Sequence, residues 1–171
     1  WYASYWDFED NVRFFKKFIK ELMMYTIGTT KITVAGNEID FGDENWERIN
    51  YIERMRELLG FDFLAIEDYK ELQQKIADSG KLTYEELDGY NSCRAIIDYA
   101  YKKLIRRNIV GPTILYNYPA FLKTLARRND DDSRVTDVFQ VVVNGAEILN
   151  AYSELVDPIE QRRALVAQLK D

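Results

Sequence analysis

Three consecutive valines, Val141, Val142 and Val143, run into Asn144-Gly145 and then Ala146. No other feature constrains the fold as tightly. Asn-Gly between two β-prone runs forms a two-residue turn with positive φ at both positions, whose twist matches that of the strands it joins. Val138 to Leu155 therefore reads as a hairpin, with Ala146 to Leu155 returning. Lys31 to Phe41 reads as a second one. There Ile32 and Val34 alternate with polar neighbours, Gly36-Asn37 supplies the turn, and Ile39 and Phe41 resume the alternation. Thr113 to Tyr118 reads as a further strand, and Trp46 to Ile49 as a short strand or a turn. Two tight hairpins predict an antiparallel sheet.

Helical periodicity fills most of the remainder. Phe8, Val12, Phe15, Ile19 and Leu22 recur on one stripe of an amphipathic helix over Asp7 to Tyr25, which Gly28 ends. A helix after Ile49 ends near Gly60. From Ala65 to Asn108 the pattern is helical throughout, broken at Ser79-Gly80 and restarted by a capping pair, Thr83 with Glu86. Cys93, Ile96, Ile97, Ala100, Leu104 and Ile105 share a stripe over Asn91 to Arg107. The basic run Lys102, Lys103, Arg106 and Arg107 suits a helix C-terminus, and an RNA contact is the alternative reading. Asp157 then caps a helix with Pro158 at its first position, running to the end of the chain. The predicted class is α+β, with residues 65–108 as a helical insertion between sheet elements; they either pack or dock an RNA.

Composition narrows the chemistry. The 171 residues contain no histidine and one cysteine, Cys93. Within these residues, Ser-His-Asp and Cys-His catalysis are excluded and a zinc site is disfavoured. A single cysteine fits a reducing, cytoplasmic compartment. No apolar run approaches the ~20 residues of a membrane span, and no signal peptide is visible in Trp1 to Asp7. A net charge of −6 argues against electrostatic nucleic-acid binding by the chain as a whole.

The richest candidate site is the returning strand. Strict alternation puts Ala146, Ile148, Asn150, Tyr152 and Glu154 on one face. An amide, an aromatic ring and a carboxylate in a row suit a cationic amino group, through a charge-assisted hydrogen bond and cation–π attraction. A solvated edge-strand face is the alternative. Glu147 falls on the opposite face unless a bulge between 147 and 150 changes the parity. It is either a Mg2+ ligand or a solvated glutamate.

The segment Val143-Asn-Gly-Ala-Glu-Ile-Leu-Asn-Ala-Tyr-Ser-Glu-Leu-Val-Asp-Pro-Ile-Glu-Gln-Arg162 resembles the class II lysyl-tRNA synthetases, from the hairpin before the lysine pocket into the next helix. Gly111-Pro-Thr, Tyr118-Pro119, Leu125-Ala-Arg-Arg-Asn-Asp130, Ile39-Asp-Phe-Gly42 and Tyr2-Ala-Ser-Tyr-Trp-Asp-Phe8 are similar to the same family. The likeness spans essentially the whole chain and is weakest over 65–108. It implies part of the antiparallel class II catalytic fold. It also implies that lysine is activated by ATP to lysyl-adenylate and transferred to tRNA(Lys) by a homodimeric enzyme. Glu154 would pair with the lysine ε-ammonium, Tyr2 would hydrogen-bond near it, Tyr152 would wall the pocket, and Asn150 would hold the amino-acid end. Glu147 would bind Mg2+ bridging the ATP phosphates.

The chain departs from the family pattern at three places. Gln140 stands where a second metal-site glutamate is usual, so it is a weakened Mg2+ ligand. Lys123-Thr124 replaces Ser-Pro, and Phe121 replaces a polar residue. No arginine-bearing motif 2 precedes Trp1 and no motif 3 follows Asp171, which leads to the expectation of a catalytic-domain piece inactive alone. Two alternatives are a paralogue that ligates a lysine-type group to a translation factor, and a non-catalytic binding module.

Overall fold

The computed structural model describes residues 1–168. Helix α1 (Phe8–Ile27) opens with a reciprocal cap between Asp7 and Asp10 and closes at Gly28, whose φ of 72° is left-handed. Its buried face is Val12, Phe15 and Met23; the predicted Leu22 is exposed, and Met23 takes the inward position instead. Strands β1 (Lys31–Val34) and β2 (Asn37–Asp40) form a separate two-stranded antiparallel sheet. Their turn is Ala35-Gly36, with φ of 49° and 84°, one residue earlier than the sequence predicts. That register places glycine at the second turn position and frees Asn37, whose amide donates to Asn144 Oδ1 at 2.9 Å.

Strands β3 (Glu47–Asn50), β4 (Thr113–Pro119), β5 (Val135–Val143) and β6 (Ala146–Tyr152) make a four-stranded sheet in that order. It is antiparallel except at β3–β4, which pair in parallel. The antiparallel pairing that the sequence predicts holds for the sheet as a whole, with one parallel pair that it does not predict. The two hairpins lie in different sheets, and β3 reaches β4 through a long crossover, which a parallel neighbour requires.

That crossover is the helical stretch. It runs through α2 (Tyr51–Leu59), a 3-10 turn (Phe63–Ala65), α3 (Tyr69–Asp78), α4 (Tyr84–Leu87), α5 (Cys93–Leu104) and a second 3-10 turn (Arg106–Asn108). Asn50, Asp68, Thr83 and Ser92 cap its helices as acceptors, so each helix start has a partner for its free N–H groups. Residues 65–108 are not continuous helix: Ile66–Asp68 and Gly89–Asn91 are irregular. They do not stand apart either. Leu72, Ile76, Leu87, Ile96, Ile97, Ala100 and Tyr101 share one buried cluster with Leu115, Tyr118, Val138 and Val142 of the sheet. The opposite face of the sheet, Ile114, Phe139, Val141 and Val143, packs with Val12, Phe15, Ile39, Phe41 and Trp46.

Helix α6 (Pro158–Gln168) begins as predicted: Asp157 Oδ1 accepts from the N–H groups of Ile159 and Glu160 at 2.8 and 3.2 Å. Its predicted continuation to Asp171 lies outside the described residues.

Leu115 is fully buried at the centre of β4, under the crossover helices. Leu115→Ala is expected to lower the unfolding free energy by about 2–5 kcal/mol, seen as a lower urea midpoint at unchanged m-value. A loss below about 1 kcal/mol would mean that the two layers do not meet there as described.

Candidate functional site

Two register shifts shape the site. On β6, Leu149 lies opposite Val141 but Glu147 lies opposite Val142, so Ile148 is an extra, bulged residue. The bulge moves Glu147 onto the face of Gln140 and Asn150, the exception that strict alternation left open. Between β4 and β5 the register also shifts at Tyr116/Tyr118, where Asn117 has φ of 58°. Tyr116 consequently packs on the α1 side and Tyr118 on the crossover side.

Both shifts converge on Gln140, which is 3% exposed. Its Nε2 donates to Glu147 Oε2 at 3.0 Å and to Asn150 Oδ1 at 3.2 Å, while its Oε1 accepts from the Tyr118 hydroxyl. Arg106, just past α5, donates to Glu147 Oε1 at 3.0 Å. Lys123 Nζ donates to Asn150 Oδ1 at 3.2 Å and lies 5.0 Å from the Tyr118 ring centroid. Burial lowers the Lys123 pKa, and the Glu147 carboxylate opposes that shift. These groups border a cleft of about 430 Å3 that also touches Arg94, Asp98, Tyr101 and Lys102.

Below Gln140 sits a tyrosine cluster. Tyr51 lies 4.8 Å from both Tyr101 and Tyr118, centroid to centroid. Burial pushes the Tyr51 and Tyr118 hydroxyls well above the ordinary phenol range, and Tyr101 up to about 12. Tyr101 Oη is buried, and among the described residues it makes no hydrogen bond of ordinary geometry.

The other predicted residues lie on open surface. Tyr152, opposite Val138, is 48% exposed on the same face as Asn150. Glu154 is exposed, just past β6, and its backbone bridges to Ala126. Tyr2 is 92% exposed and makes no side-chain hydrogen bond among the described residues. Asn150, Glu147 and Gln140 are thus brought together. Tyr2 is not tied to them by any hydrogen bond, and Glu154 extends the row along the strand edge. Sequence reasoning did not place Lys123, Tyr118 and Arg106 at this site. Lys123 and Arg106 stood out only as a departure from pattern and as a helix end.

The family model for class II tRNA synthetases (D, K and N) matches residues 1–171. The chain belongs to that family. Curated relatives named lysine–tRNA ligase cover 99% of it. Those of Leuconostoc citreum and Thermotoga maritima are each 34% identical to it, and that of Listeria innocua is 32% identical. The chain spans about one third of the length of these relatives (34%, 32% and 33%, in that order). Its α+β, largely antiparallel architecture agrees with part of a class II synthetase catalytic fold. No helix among the described residues is long and apolar enough to cross a membrane.

The synthetase resemblance assigns Mg2+ to Glu147 and Gln140. Their donor set does not fit a divalent ion. Mg2+ takes oxygen ligands in near-octahedral geometry, yet Gln140 turns its nitrogen toward Glu147 and its oxygen toward Tyr118. Among the described residues no three acidic, cysteine or histidine side chains gather as a metal site.

An unsatisfied buried hydroxyl costs about 1–3 kcal/mol. Tyr101→Phe is therefore expected to leave stability unchanged or raise it by about 1 kcal/mol in urea unfolding. It should also remove a phenol titrating near 12 from the absorbance at 295 nm. A loss above about 1 kcal/mol would show that the hydroxyl has a partner.

Proposed function

We propose that the full-length protein is a lysine–tRNA ligase, which couples lysine to ATP as lysyl-adenylate and passes the lysyl group to the 3′ end of tRNA(Lys). In the first step a lysine carboxylate oxygen bonds to the α-phosphorus of ATP and pyrophosphate leaves. In the second, a terminal ribose hydroxyl of the tRNA takes the acyl group and AMP leaves. One observation carries this reading. The Asn-Ala-Tyr-Ser-Glu segment, residues 150–154, lies along the open edge of the sheet in a chain whose curated relatives are lysine–tRNA ligases.

In this proposal Glu154 pairs with the lysine ε-ammonium, Tyr152 forms an aromatic wall beside it, Asn150 holds the amino-acid end, and Tyr2 adds a hydrogen bond near the ammonium. All four are exposed or at the open edge, where a substrate can reach them. Lys123 already pre-positions the Asn150 amide. Catalysis by such a site is positioning and charge neutralisation rather than proton shuttling, which accords with a chain lacking histidine. ATP in this reaction is accompanied by Mg2+. Homodimerisation and a cytoplasmic location are part of the same proposal.

Glu154 also sets specificity, because a carboxylate left facing an uncharged side chain loses its charge-assisted bond. That bond is worth about 1.5–3 kcal/mol. Glu154→Gln in the full-length protein is expected to lower kcat/KM for lysine-dependent ATP–pyrophosphate exchange on the order of 10- to 100-fold. Exchange at the unaltered rate would reject the assignment of Glu154. Absence of lysine-dependent exchange in the unaltered protein would reject the ligase reading.

A further inference from the structure

The side-chain oxygens of Glu147, Gln140 and Asn150 are each already engaged by a donor of the chain itself. Arg106 Nη1 takes Glu147 Oε1, and Gln140 Nε2 takes Glu147 Oε2, each at 3.0 Å. Asn150 Oδ1 accepts from Gln140 Nε2 and from Lys123 Nζ, each at 3.2 Å. Gln140 Oε1 accepts from Tyr118. The orientation of the Gln140 amide follows from the partners: an ionised carboxylate only accepts, so the nitrogen must face Glu147. The cluster therefore holds one carboxylate, one guanidinium and one ammonium, with an amide joining the two acceptors.

We propose that the Arg106 guanidinium stands in the place of a divalent cation at Glu147, so that this position is an internal ion pair closed to Mg2+. The backbone holds the guanidinium there. The 3-10 turn Arg106–Asn108 lies against the tip of the β5–β6 hairpin: a Cβ on Gly145 would sit 3.6 Å from the Arg106 carbonyl oxygen and 3.7 Å from Arg107 Cα. Asn144 N–H donates to the Val110 carbonyl at 2.9 Å, closing the same contact. The side chains of Arg106 and Glu147 are 29% and 36% exposed, so the pair sits at the mouth of the cleft rather than in bulk water. Gln140 completes the arrangement. A glutamate in its place would present a second carboxylate to Glu147, and two like charges at this range call for a cation or a shared proton between them. An amide instead donates, and one guanidinium then suffices. On this account the positive charge offered to a ligand phosphate at the strand edge belongs to Arg106 and Lys123. It is fixed in place and independent of the free Mg2+ concentration.

The inference rests on the synthetase reading only in taking 140 and 147 as the position where relatives would hold Mg2+. Its test is Mn2+ binding to the full-length protein without nucleotide, with free Mn2+ read by electron paramagnetic resonance. The unaltered protein and Glu147→Gln are expected to give the same isotherm. The double variant Gln140→Glu with Arg106→Gln is expected to gain one site at least tenfold tighter than any the unaltered protein shows near Glu147. A Mn2+ site in the unaltered protein that Glu147→Gln abolishes would overturn the proposal. So would a double variant, folded by circular dichroism, that gains no site. If the double variant does not fold, the comparison of the unaltered protein with Glu147→Gln decides alone. Lysine-dependent exchange in the same preparation reports separately on the ligase reading: its absence beside matching isotherms rejects that reading and leaves the ion pair standing.

Discussion

Strand β5 is the element on which the other layers depend. It pairs with β4 on one side and β6 on the other, and eight of its nine residues are buried, so both of its faces meet core rather than water. Val138 and Val142 face the crossover helices, while Phe139, Val141 and Val143 face α1 and the small hairpin. A strand covered on both sides reads as a continuous apolar run, and Val138–Val143 is such a run with one exception. Gln140 is a polar residue at the centre of the most buried strand, and burying an amide without partners costs several kcal/mol. The fold meets that demand with three neighbours, Tyr118, Glu147 and Asn150. Satisfying Gln140 and building the site are the same act.

Alternation alone could not have built it. A regular β6 would have put Glu147 on the α1 side, among Val141, Val143 and Leu149, where a carboxylate has no partner. One bulged residue, Ile148, reverses its direction, and the irregularity at Asn117 brings Tyr118 in from β4. Bulges re-aim side chains at sheet edges and beside functional sites. Here two register shifts, one in each of the two ladders that β5 makes, aim at one buried amide. The hairpin tip is tied down as well, by Asn37 from the separate small sheet and by Val110 at the end of the crossover. Elements far apart in sequence thereby fix the orientation of β6.

What the sequence made legible follows from the range of the interactions involved. Caps and turns are local chemistry. Asp157 before Pro158, Thr83 with Glu86, Gly28 after α1 and Asn144-Gly145 all appear where their residue types predict. The face of Asn150 and Tyr152 was legible by counting in twos, since no irregularity lies between them. The parallel pairing of β3 with β4 was not, because nothing in either four- to seven-residue run encodes its direction; that is set by how the crossover packs. The register of the small hairpin shifted by one residue because glycine serves the second turn position better than the first. Arg106 and Lys123 joined the site for reasons of tertiary geometry alone, one from a helix end and the other from a loop. The membership that residues 143–162 suggested is matched by the family model over residues 1–171.

The electrostatics of the open edge tie these points to the proposed function. The chain carries a net charge of −6, yet the cleft above Gln140 is bordered by Arg94, Lys102, Arg106 and Lys123 against Asp98 and Glu147. Local sign therefore opposes global sign. Two of the four cations are committed to acceptors within the cluster, Arg106 to Glu147 and Lys123 to Asn150, and Lys102 pairs with Asp98 along α5. Such pairs at half-exposed positions are worth about 0.2–1 kcal/mol each, so they position charge without locking it away. Further along the same strand edge, Glu154 is an exposed carboxylate with no partner among the described residues. One edge thus presents held positive charge at its hairpin end and an unneutralised carboxylate at its other end. A substrate pair with an anionic phosphate chain and a cationic amine matches that polarity, and a ligand of uniform charge does not.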